Sequence, residues 1–263
     1  RHRVLVSASK VRILAPQNKF FRRWTIRNIS SIVLAGGKGV RMQSELPKVL
    51  HPLCGKPLIE HVVESLNTAG INDILVVVGY KGDDVIQQLN GRVNFVWQHE
   101  QLGTGHAVMQ AEPHYKDFDG DVVVACGDVP LIKPETFQAL VREIEKPGCG
   151  AVVLTMIQDN PAGYGRIVYD SGTFSAIVEE KDANDEQRKI KEVNSGTYIF
   201  NSRLLFEGLK RIDTNNAQKE YYLPDVLKYV IQSGFSVKTV ILQDSSEGRG
   251  INTRDELITM EQY

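Results

Sequence analysis

The chain of 263 residues is 42% hydrophobic and 24% charged, enough apolar material for the core of one large α/β domain. It contains no apolar run near the roughly 20 residues that span a bilayer, which excludes a membrane-spanning helix. Its three cysteines are odd in number and lack metal-site spacing, so we expect buried thiols in a reducing, cytoplasmic compartment.

The net charge of −1 conceals an uneven distribution. Residues 1–30 contain eight lysines and arginines and no acid, so residues 31–263 keep 23 basic and 32 acidic residues, a net charge of −9. This acidic body argues against nucleic-acid binding. We expect residues 1–29 to be a leader outside the catalytic fold, either extraneous or of the Arg-rich transit-peptide type. A basic arm for an acidic partner is the alternative.

A short strand and a glycine-rich loop stand at the start of the predicted fold. Residues 31–34 are β-prone and are followed by three glycines within four positions. Glycine allows backbone N–H groups to approach a ligand closely, and such groups bind phosphate oxygens. Arg41 and Lys48 add two cations close by. The stretch therefore predicts a loop that binds a nucleoside triphosphate.

Two other phosphate-binding loops do not fit this stretch. The dinucleotide fingerprint requires a third glycine, where this chain has Met42, and an acid after the second strand, where residues 78–80 supply none. The Walker-type Gly-Lys-Ser/Thr is absent. An ordinary strand-to-loop turn remains as the alternative, although Pro47, which stiffens the approach to Lys48, favours a binding loop.

Hydrophobic periodicity predicts alternating helices and strands after the loop. The predicted helices cover residues 57–67, 82–89, 105–111 and 135–145, and the predicted strands cover 74–78, 93–97, 121–126 and 150–157. This alternation predicts a Rossmann-like, doubly wound, mostly parallel sheet.

The pattern changes in the second half of the chain. We predict a hairpin over 165–180, strands over 191–201 and 237–242, and helices over 202–211, 221–232 and from Thr253 to the C-terminus. These elements indicate a smaller mixed β lobe packed onto the parallel half.

Two polar stretches are candidates for chemistry. Asp128 follows a predicted strand, and the carboxyl ends of parallel strands face the ligand crevice. A hard carboxylate there suits Mg²⁺, and a turn residue before Pro130 is the alternative. Residues 98–106 open a helix, and their amide side chains can read a base edge, although a surface loop fits equally well. His106 is expected to be structural.

Five stretches in order resemble the N-terminal pyrophosphorylase domain of the bacterial bifunctional N-acetylglucosamine-1-phosphate uridylyltransferases. They are the glycine loop through Lys48 and residues 98–106, 127–130, 163–166 and 215–222. The glycine loop alone is shared with many nucleotidyltransferases, whereas the Gln-Leu-Gly-Thr-Gly-His-Ala stretch and the Asn-Asn-Ala-Gln block are more specific. The resemblance implies a nucleotide-diphospho-sugar transferase fold over residues 30–263 with a C-terminal helix. We expect no β-helix acetyltransferase domain, because no hexapeptide repeat occurs.

The resemblance implies Mg²⁺-dependent uridylyl transfer from UTP to N-acetylglucosamine 1-phosphate, which gives pyrophosphate and UDP-N-acetylglucosamine, a peptidoglycan precursor. It assigns the phosphates to Arg41 and Lys48 and Mg²⁺ to Asp128 and Asn252. The substrate contacts that it implies, from the uridine pocket to the sugar, are Leu34, Ala35, Gly36, Gly37, Gln98, Gly103, Thr104, Gly127, Gly165, Glu179 and Asn194.

Three positions depart from the family pattern. Gly36 replaces an alanine, Val40 a threonine and Cys126 a tyrosine often seen before Gly-Asp. The alternatives are a related nucleotidyltransferase with another sugar or base, and a sugar-nucleotide-binding regulator without catalysis. The presence of the phosphate-binding and metal-binding residue types favours an enzyme. The oligomeric state stays open.

Overall fold

The computed structural model of the protein describes residues 28–262. Residues 1–27 of the predicted leader lie outside this part of the chain. The first strand begins at Asn28, two residues before the predicted start of the domain at residue 30.

Strands and short helices alternate through the first half, as predicted. In chain order the strands are β1 (Asn28–Ala35), β2 (Pro52–Leu53), β3 (Lys56–Pro57), β4 (Asp73–Val78), β5 (Asn94–Trp97), β6 (Gly120–Cys126), β7 (Cys149–Ile157), β8 (Arg166–Asp170), β9 (Thr173–Val178), β10 (Glu192–Asn201) and β11 (Ser236–Ile241). The helices are α1 (Leu58–Thr68), α2 (Gly82–Leu89), α3 (Thr104–Met109), α4 (Pro134–Ile144), α5 (Asp185–Arg188), α6 (Ser202–Leu209), α7 (Val226–Gln232) and α8 (Arg254–Met260). None of these helices is long and apolar enough to cross a membrane.

The central sheet has the strand order β11-β7-β10-β6-β1-β4-β5. Strands β6, β1, β4 and β5 run parallel, and β11 is parallel to β7. Strand β10 lies between β6 and β7 and is antiparallel to both. The prediction of a mostly parallel sheet is therefore confirmed. The second half of the chain contributes β10 and β11 to this same sheet, and the β8–β9 hairpin joins it off the main path through β10.

Both faces of the sheet are covered, which explains the continuous apolar runs of the central strands. On β6, Val122 and Val124 pack into one core while Val123 and Ala125 pack into the other. Helices α1 and α4 cover one face, and α3, α6 and α7 cover the opposite face. This packing brings the carboxyl ends of β1, β4 and β6 to one edge, with Leu34 opposite Cys126 and Ala35 opposite Val78.

The predicted helix over 221–232 is wrong at its start. Helix α7 begins at Val226, after a 3-10 turn over Leu223–Asp225. Pro224 has no N–H to donate and is tolerated in the first turn of a helix, which fits a start at Leu223. The backbone of Tyr221 is used elsewhere. Its N–H donates to the Leu102 carbonyl at 2.8 Å, and its carbonyl accepts from Gly105 at 2.8 Å. Tyr221 therefore belongs to a loop wall and not to a helix.

Candidate active site

A cavity of about 290 Å³ opens at the carboxyl ends of β1 and β6. The residues that line it include most of those predicted for the nucleotide and phosphates. They are Leu34, Ala35, Gly36, Gly37, Lys48, Val49, Gln98, Gln101, Gly103, Thr104, Ala107, Cys126, Asp128 and Glu220. A larger groove of about 550 Å³ lies beside Gly250 and contains none of the predicted residues. We place the site in the smaller cavity, where the predicted residues converge.

The glycine loop and the buried amide of Gln98 form one wall of the cavity. Gln98 is 4% exposed, and its Nε2 donates to the Gly103 carbonyl at 3.2 Å. A Cβ on Gly36 would lie 2.9 Å from Gln98 Oε1, and one on Gly79 would lie 2.6 Å from the Gly36 carbonyl. Glycine at position 36, where the family has alanine, therefore lets the loop pack directly against Gln98.

The segment after the Asn-Asn-Ala-Gln block supports the same wall from behind. Gly103 has a φ of +109°, and a Cβ there would lie 2.6 Å from the Tyr221 carbonyl. Thr104 Oγ1 accepts a hydrogen bond from the Leu223 N–H at 3.1 Å. The Asn216 side chain donates to the Glu220 carbonyl at 2.6 Å and accepts from its N–H at 3.2 Å. Residues 98–106 and the segment from Asn216 to Leu223 therefore stabilise each other's backbone conformation.

Lys48, Asp128 and Asn252 meet at one end of the cavity. Lys48 Nζ donates to Asp128 Oδ2 and, at 3.1 Å, to Asn252 Oδ1. The Ile251 N–H donates to the Asp128 carbonyl at 2.9 Å, and the Ile251 side chain is fully buried. The turn that carries Asn252 is thereby fixed to the end of β6. Three segments far apart in sequence thus place one ammonium group between two side-chain oxygens.

The donor set at this point fits Mg²⁺. A carboxylate and an amide oxygen are hard ligands, and the ammonium between them shows that the two oxygens favour a cation. Within residues 28–262 there is no cluster of three or more His, Cys, Asp or Glu that could hold a metal. A magnesium ion on Asp128 and Asn252 therefore requires further ligands from substrate phosphates and water, as is usual for this ion.

Arg41 is the predicted phosphate ligand that the structure does not bring to the cavity wall. It lies in a 3-10 turn, Val40–Met42, and its side chain is exposed and forms no ion pair with the part of the chain described here. Arg254, which the sequence analysis missed, donates to the carbonyls of Met42 and Gln43. No local motif marks Arg254, because the contact joins residues more than 200 positions apart.

Three residues predicted for the sugar lie together at the junction of β8, β9 and β10. The Asn194 N–H donates to the Gly165 carbonyl at 2.8 Å, and a Cβ on Gly165 would lie 3.1 Å from Glu179 Oε1. Asn194 Nδ2 donates to the buried hydroxyl of Tyr198 at 2.6 Å. Its Oδ1 accepts from the Gly196 N–H at 3.1 Å. The register of β10 shifts between Asn194 and Tyr198, so sequence alone gave no signal for this pairing.

Glu179 has an unusual charge environment. Burial and, to a smaller extent, the carboxylates of Asp182, Asp225 and Glu220 together raise the pKa of its carboxyl to about 7, against the opposing effect of Arg166. No hydrogen bond to this carboxyl comes from the residues between 28 and 262. Near neutral pH both protonation states of Glu179 are thus populated. The protonated carboxyl can donate a hydrogen bond to a sugar hydroxyl, and the carboxylate can accept one.

Cys126 and Gly127 connect the two parts of the site. Cys126 lines the cavity, and its Sγ lies 3.6 Å from the Gly196 carbonyl, next to the residues predicted for the sugar. Burial, with a smaller contribution from the Asp128 carboxylate and against that of Lys48, raises the pKa of this thiol to about 12. The Gly127 N–H donates to the Leu34 carbonyl at 2.9 Å. Gly127 therefore extends the sheet and aims Asp128 at the cavity.

The match to a known family decides the class of protein. Residues 31–196 match the family model of the MobA-like NTP transferase domain. This chain belongs to that family. The matched region of this NTP transferase contains every predicted site residue except Asn252.

Relatives of this NTP transferase carry the name Bifunctional protein GlmU. The relative from Geobacillus thermodenitrificans is 46% identical over 232 residues, which cover 88% of this chain and 50% of the relative. The relative from Oceanobacillus iheyensis is 46% identical over 235 residues, which cover 89% of this chain and 52% of the relative. These matches confirm the resemblance predicted from the motifs. The chain spans about half the length of these relatives.

A solved structure confirms the fold of this NTP transferase. The crystal structure of a Bacillus anthracis protein named as a glucose-1-phosphate thymidylyltransferase superposes with a TM-score of 0.72. The superposition covers 89% of this chain and 94% of that chain, at 22% sequence identity. This likeness establishes the nucleotide-diphospho-sugar transferase fold, and the family rests on the match over residues 31–196.

Proposed function

We propose that this chain catalyses uridylyl transfer from UTP to N-acetylglucosamine 1-phosphate, which gives UDP-N-acetylglucosamine and pyrophosphate. The observation that carries the proposal is the convergence of Lys48, Asp128 and Asn252 beside a cavity walled by the glycine loop and Gln98. The relatives named GlmU and the family match support it. The three cysteines are free, which suits a reducing cytoplasm, although Cys54 is exposed and not buried as predicted.

The proposed reaction needs no nucleophile or general base from the protein. A sugar phosphate has a second pKa of about 6, by analogy with phosphoserine, so it is already a competent nucleophile at neutral pH. The obstacle is the approach of one anion to another. The chain must align the attacking oxygen with the α-phosphate and the leaving pyrophosphate and offset their charge.

Lys48 supplies the positive charge within the cavity. Its side chain is 17% exposed, so water screens its charge only in part, and the ammonium can move from Asp128 to a phosphate oxygen within its own reach. Mg²⁺ held by Asp128 and Asn252, when bound, neutralises charge on the triphosphate. The backbone N–H groups of the glycine loop complete a set of phosphate donors that needs no further acid or base.

In this proposal the nucleoside takes the cavity, and the sugar takes the adjoining junction of β8, β9 and β10, whose residues do not line the cavity itself. Leu34, Ala35, Gly36 and Gly37 contribute the uridine side together with Gln98. Gly165, Glu179 and Asn194 contribute the sugar side. Cys126 lies between them, since it lines the cavity and contacts the Gly196 carbonyl. A substrate that extends from the cavity past Cys126 toward the sugar side can place its phosphates beside Lys48, which also lines the cavity.

Pyrophosphate release across UTP, dTTP and CTP, each with several sugar 1-phosphates, tests this proposal. We expect turnover to be highest with UTP and N-acetylglucosamine 1-phosphate and to stop when a chelator is in excess. Preference for another base or sugar would identify a related nucleotidyltransferase. Binding of UDP-N-acetylglucosamine without turnover in any combination would favour a regulator and refute the enzyme.

A further inference from the structure

The guanidinium of Arg254 holds the turn that follows Arg41. Its Nε donates to the Met42 carbonyl and its Nη2 donates to the Gln43 carbonyl, each at 3.1 Å. Gln43 adopts a left-handed conformation with a φ of 48°, which costs free energy in a residue other than glycine. Two hydrogen bonds from one charged group stabilise this turn in its observed conformation.

Arg254 belongs to the same segment as Asn252, and hydrogen bonds within this segment fix both residues. It is the first residue of α8, whose cap is Thr253: the Thr253 hydroxyl accepts from the Glu256 N–H at 3.1 Å. Glu256 Oε2 accepts from the N–H groups of Asn252, at 2.6 Å, and Thr253, at 3.2 Å. The position of the guanidinium is thus fixed relative to the Asn252 turn.

Two kinds of contact hold the turn: the Met42 side chain, which is 1% exposed, anchors its middle in the core, and Arg254 binds its backbone. Within residues 28–262, the Arg254 hydrogen bonds are the ones that join Val40–Met42 or Gln43 to a different segment of the chain. Lys81 contacts the loop further along, at the Glu45 carbonyl, and that contact is exposed. Arg41 has an exposed side chain, so the direction in which it extends depends on this backbone turn.

We propose that Arg254 is a positioning residue that fixes the Val40–Met42 turn, and with it Arg41, relative to the Asp128 and Asn252 end of the cavity. The inference rests on the proposed function only where it gives Arg41 a phosphate to bind. Arg254 is not needed for the core, because it is exposed and the apolar cluster beneath α8 consists of Leu53, Leu58, Ile251 and Met260. Its replacement should therefore loosen the turn without unfolding the domain.

Limited trypsin digestion of the ligand-free protein tests the turn without any assay of activity. Trypsin cleaves after Lys38 and Arg41, which are both exposed. Arg254→Met should raise the rate of cleavage at these two sites by about tenfold, because local opening controls proteolysis. Arg211→Met is the matched control, since it removes an arginine that packs on Tyr229 outside the cavity. An unchanged cleavage rate in Arg254→Met would overturn the proposal.

A double-mutant cycle on kcat/KM for the nucleotide tests whether Arg254 acts through Arg41. Arg254→Met should lower kcat/KM about tenfold in the wild-type background and less than about twofold in the Arg41→Ala background. Arg254→Lys, which keeps one donor group, should recover part of the loss. Equal losses in both backgrounds would show that Arg254 acts independently of Arg41 and would refute the inference. If the wild type has no uridylyltransferase activity, the proposed function fails, while the proteolysis result still decides the role of Arg254.

Discussion

The ammonium nitrogen of Lys48 donates a hydrogen bond to Asn252 Oδ1 at 3.1 Å, although the two residues are 204 positions apart in the chain. The same nitrogen donates to the Asp128 carboxylate. A lysine thus occupies the space between the two oxygens proposed for Mg²⁺. A metal ion bound there would compete with Lys48 for these oxygens, and we expect substrate phosphates that attract the lysine to remove the competition.

Replacement of Asp128 by alanine tests the metal site. Asp128→Ala should lower turnover by about 10²–10³-fold, the usual effect of removing one preorganised electrostatic contact. Pyrophosphate release measures this loss, and Asp255→Ala, which removes an exposed acid on α8, is the matched control. Full activity of Asp128→Ala would contradict the assignment.

Replacement of Lys48 by methionine separates phosphate binding from metal binding. Lys48→Met should lower turnover about 10²-fold, because a phosphate contact is lost. It should also bind Mn²⁺, used as a probe for Mg²⁺, more tightly in the absence of nucleotide, because both oxygens are freed. Electron paramagnetic resonance of free Mn²⁺ measures this affinity. Weaker binding of Mn²⁺ than in the wild type would show that Lys48 does not compete, and circular dichroism checks that the variant is folded.

Sugar choice tests the Asn194 side of the cavity. An acetamido group has one donor and one acceptor, and a site that buries them must pair both. Glucose 1-phosphate should leave one partner unpaired at a cost of about 1–3 kcal/mol, or roughly 5- to 150-fold in kcat/KM.

Asn194→Ala should reduce this preference and not merely slow both sugars. Asn201→Ala, at the far end of the same strand, should leave the preference unchanged. A wild-type preference for glucose 1-phosphate would overturn the choice of sugar but not uridylyl transfer itself.

The raised pKa of Glu179 predicts a pH dependence of stability. The pKa of about 7 in the folded protein exceeds the ordinary value of 4.5, so the folded state binds more protons than the unfolded state between these values. The stabilising contribution is fully present below pH 4.5 and is lost as the pH rises through about 7. We expect the loss to reach at most about 3 kcal/mol.

Urea unfolding of the wild type and Glu179→Gln at pH 5 and pH 8 measures this effect. The wild type should lose more stability than the variant over that interval, because the glutamine cannot ionise. Glu186→Gln, at an exposed position in α5, should behave like the wild type. The same loss in wild type and Glu179→Gln would show that Glu179 ionises normally.

The basic leader is tested by deletion. Removing residues 1–26 keeps β1 whole, since this strand begins at Asn28. Turnover and KM should be unchanged, because every proposed site residue lies beyond this segment. A tenfold or larger loss, with the shortened protein still folded by circular dichroism, would assign the arm to the active enzyme.

The sequence predicts best the parts of the site that are contiguous in the chain. The glycine loop, Gln98 and Asp128 each stand directly after a strand, so a local pattern locates them, and the structure places them around one cavity. The alternation of elements likewise predicts the parallel half of the sheet. Local patterns suffice here because the carboxyl ends of parallel strands meet at one edge.

The parts that could not be predicted depend on contacts between distant segments. A strand covered on both faces has the same apolar run whether it is parallel or antiparallel, so the position of β10 between β6 and β7 left no signal in the sequence. The role of Arg254 depends on a contact with Met42, and an exposed arginine at the start of a helix looks ordinary. Tyr221 appeared helical because its apolar neighbours continue the period of α7.

The position of β10 has a consequence for the order in which the protein folds. Strands β1, β4, β5 and β6 can pair once residues 28–126 have been synthesised. The outer edge of β6 stays unpaired until β10, which ends at residue 201, has also formed. Pairing between segments so far apart in sequence slows folding. The unpaired edge of β6 contains the apolar run Val122, Val123 and Val124. An unpaired apolar edge can pair with another chain, so the yield of refolding should fall steeply as the protein concentration rises.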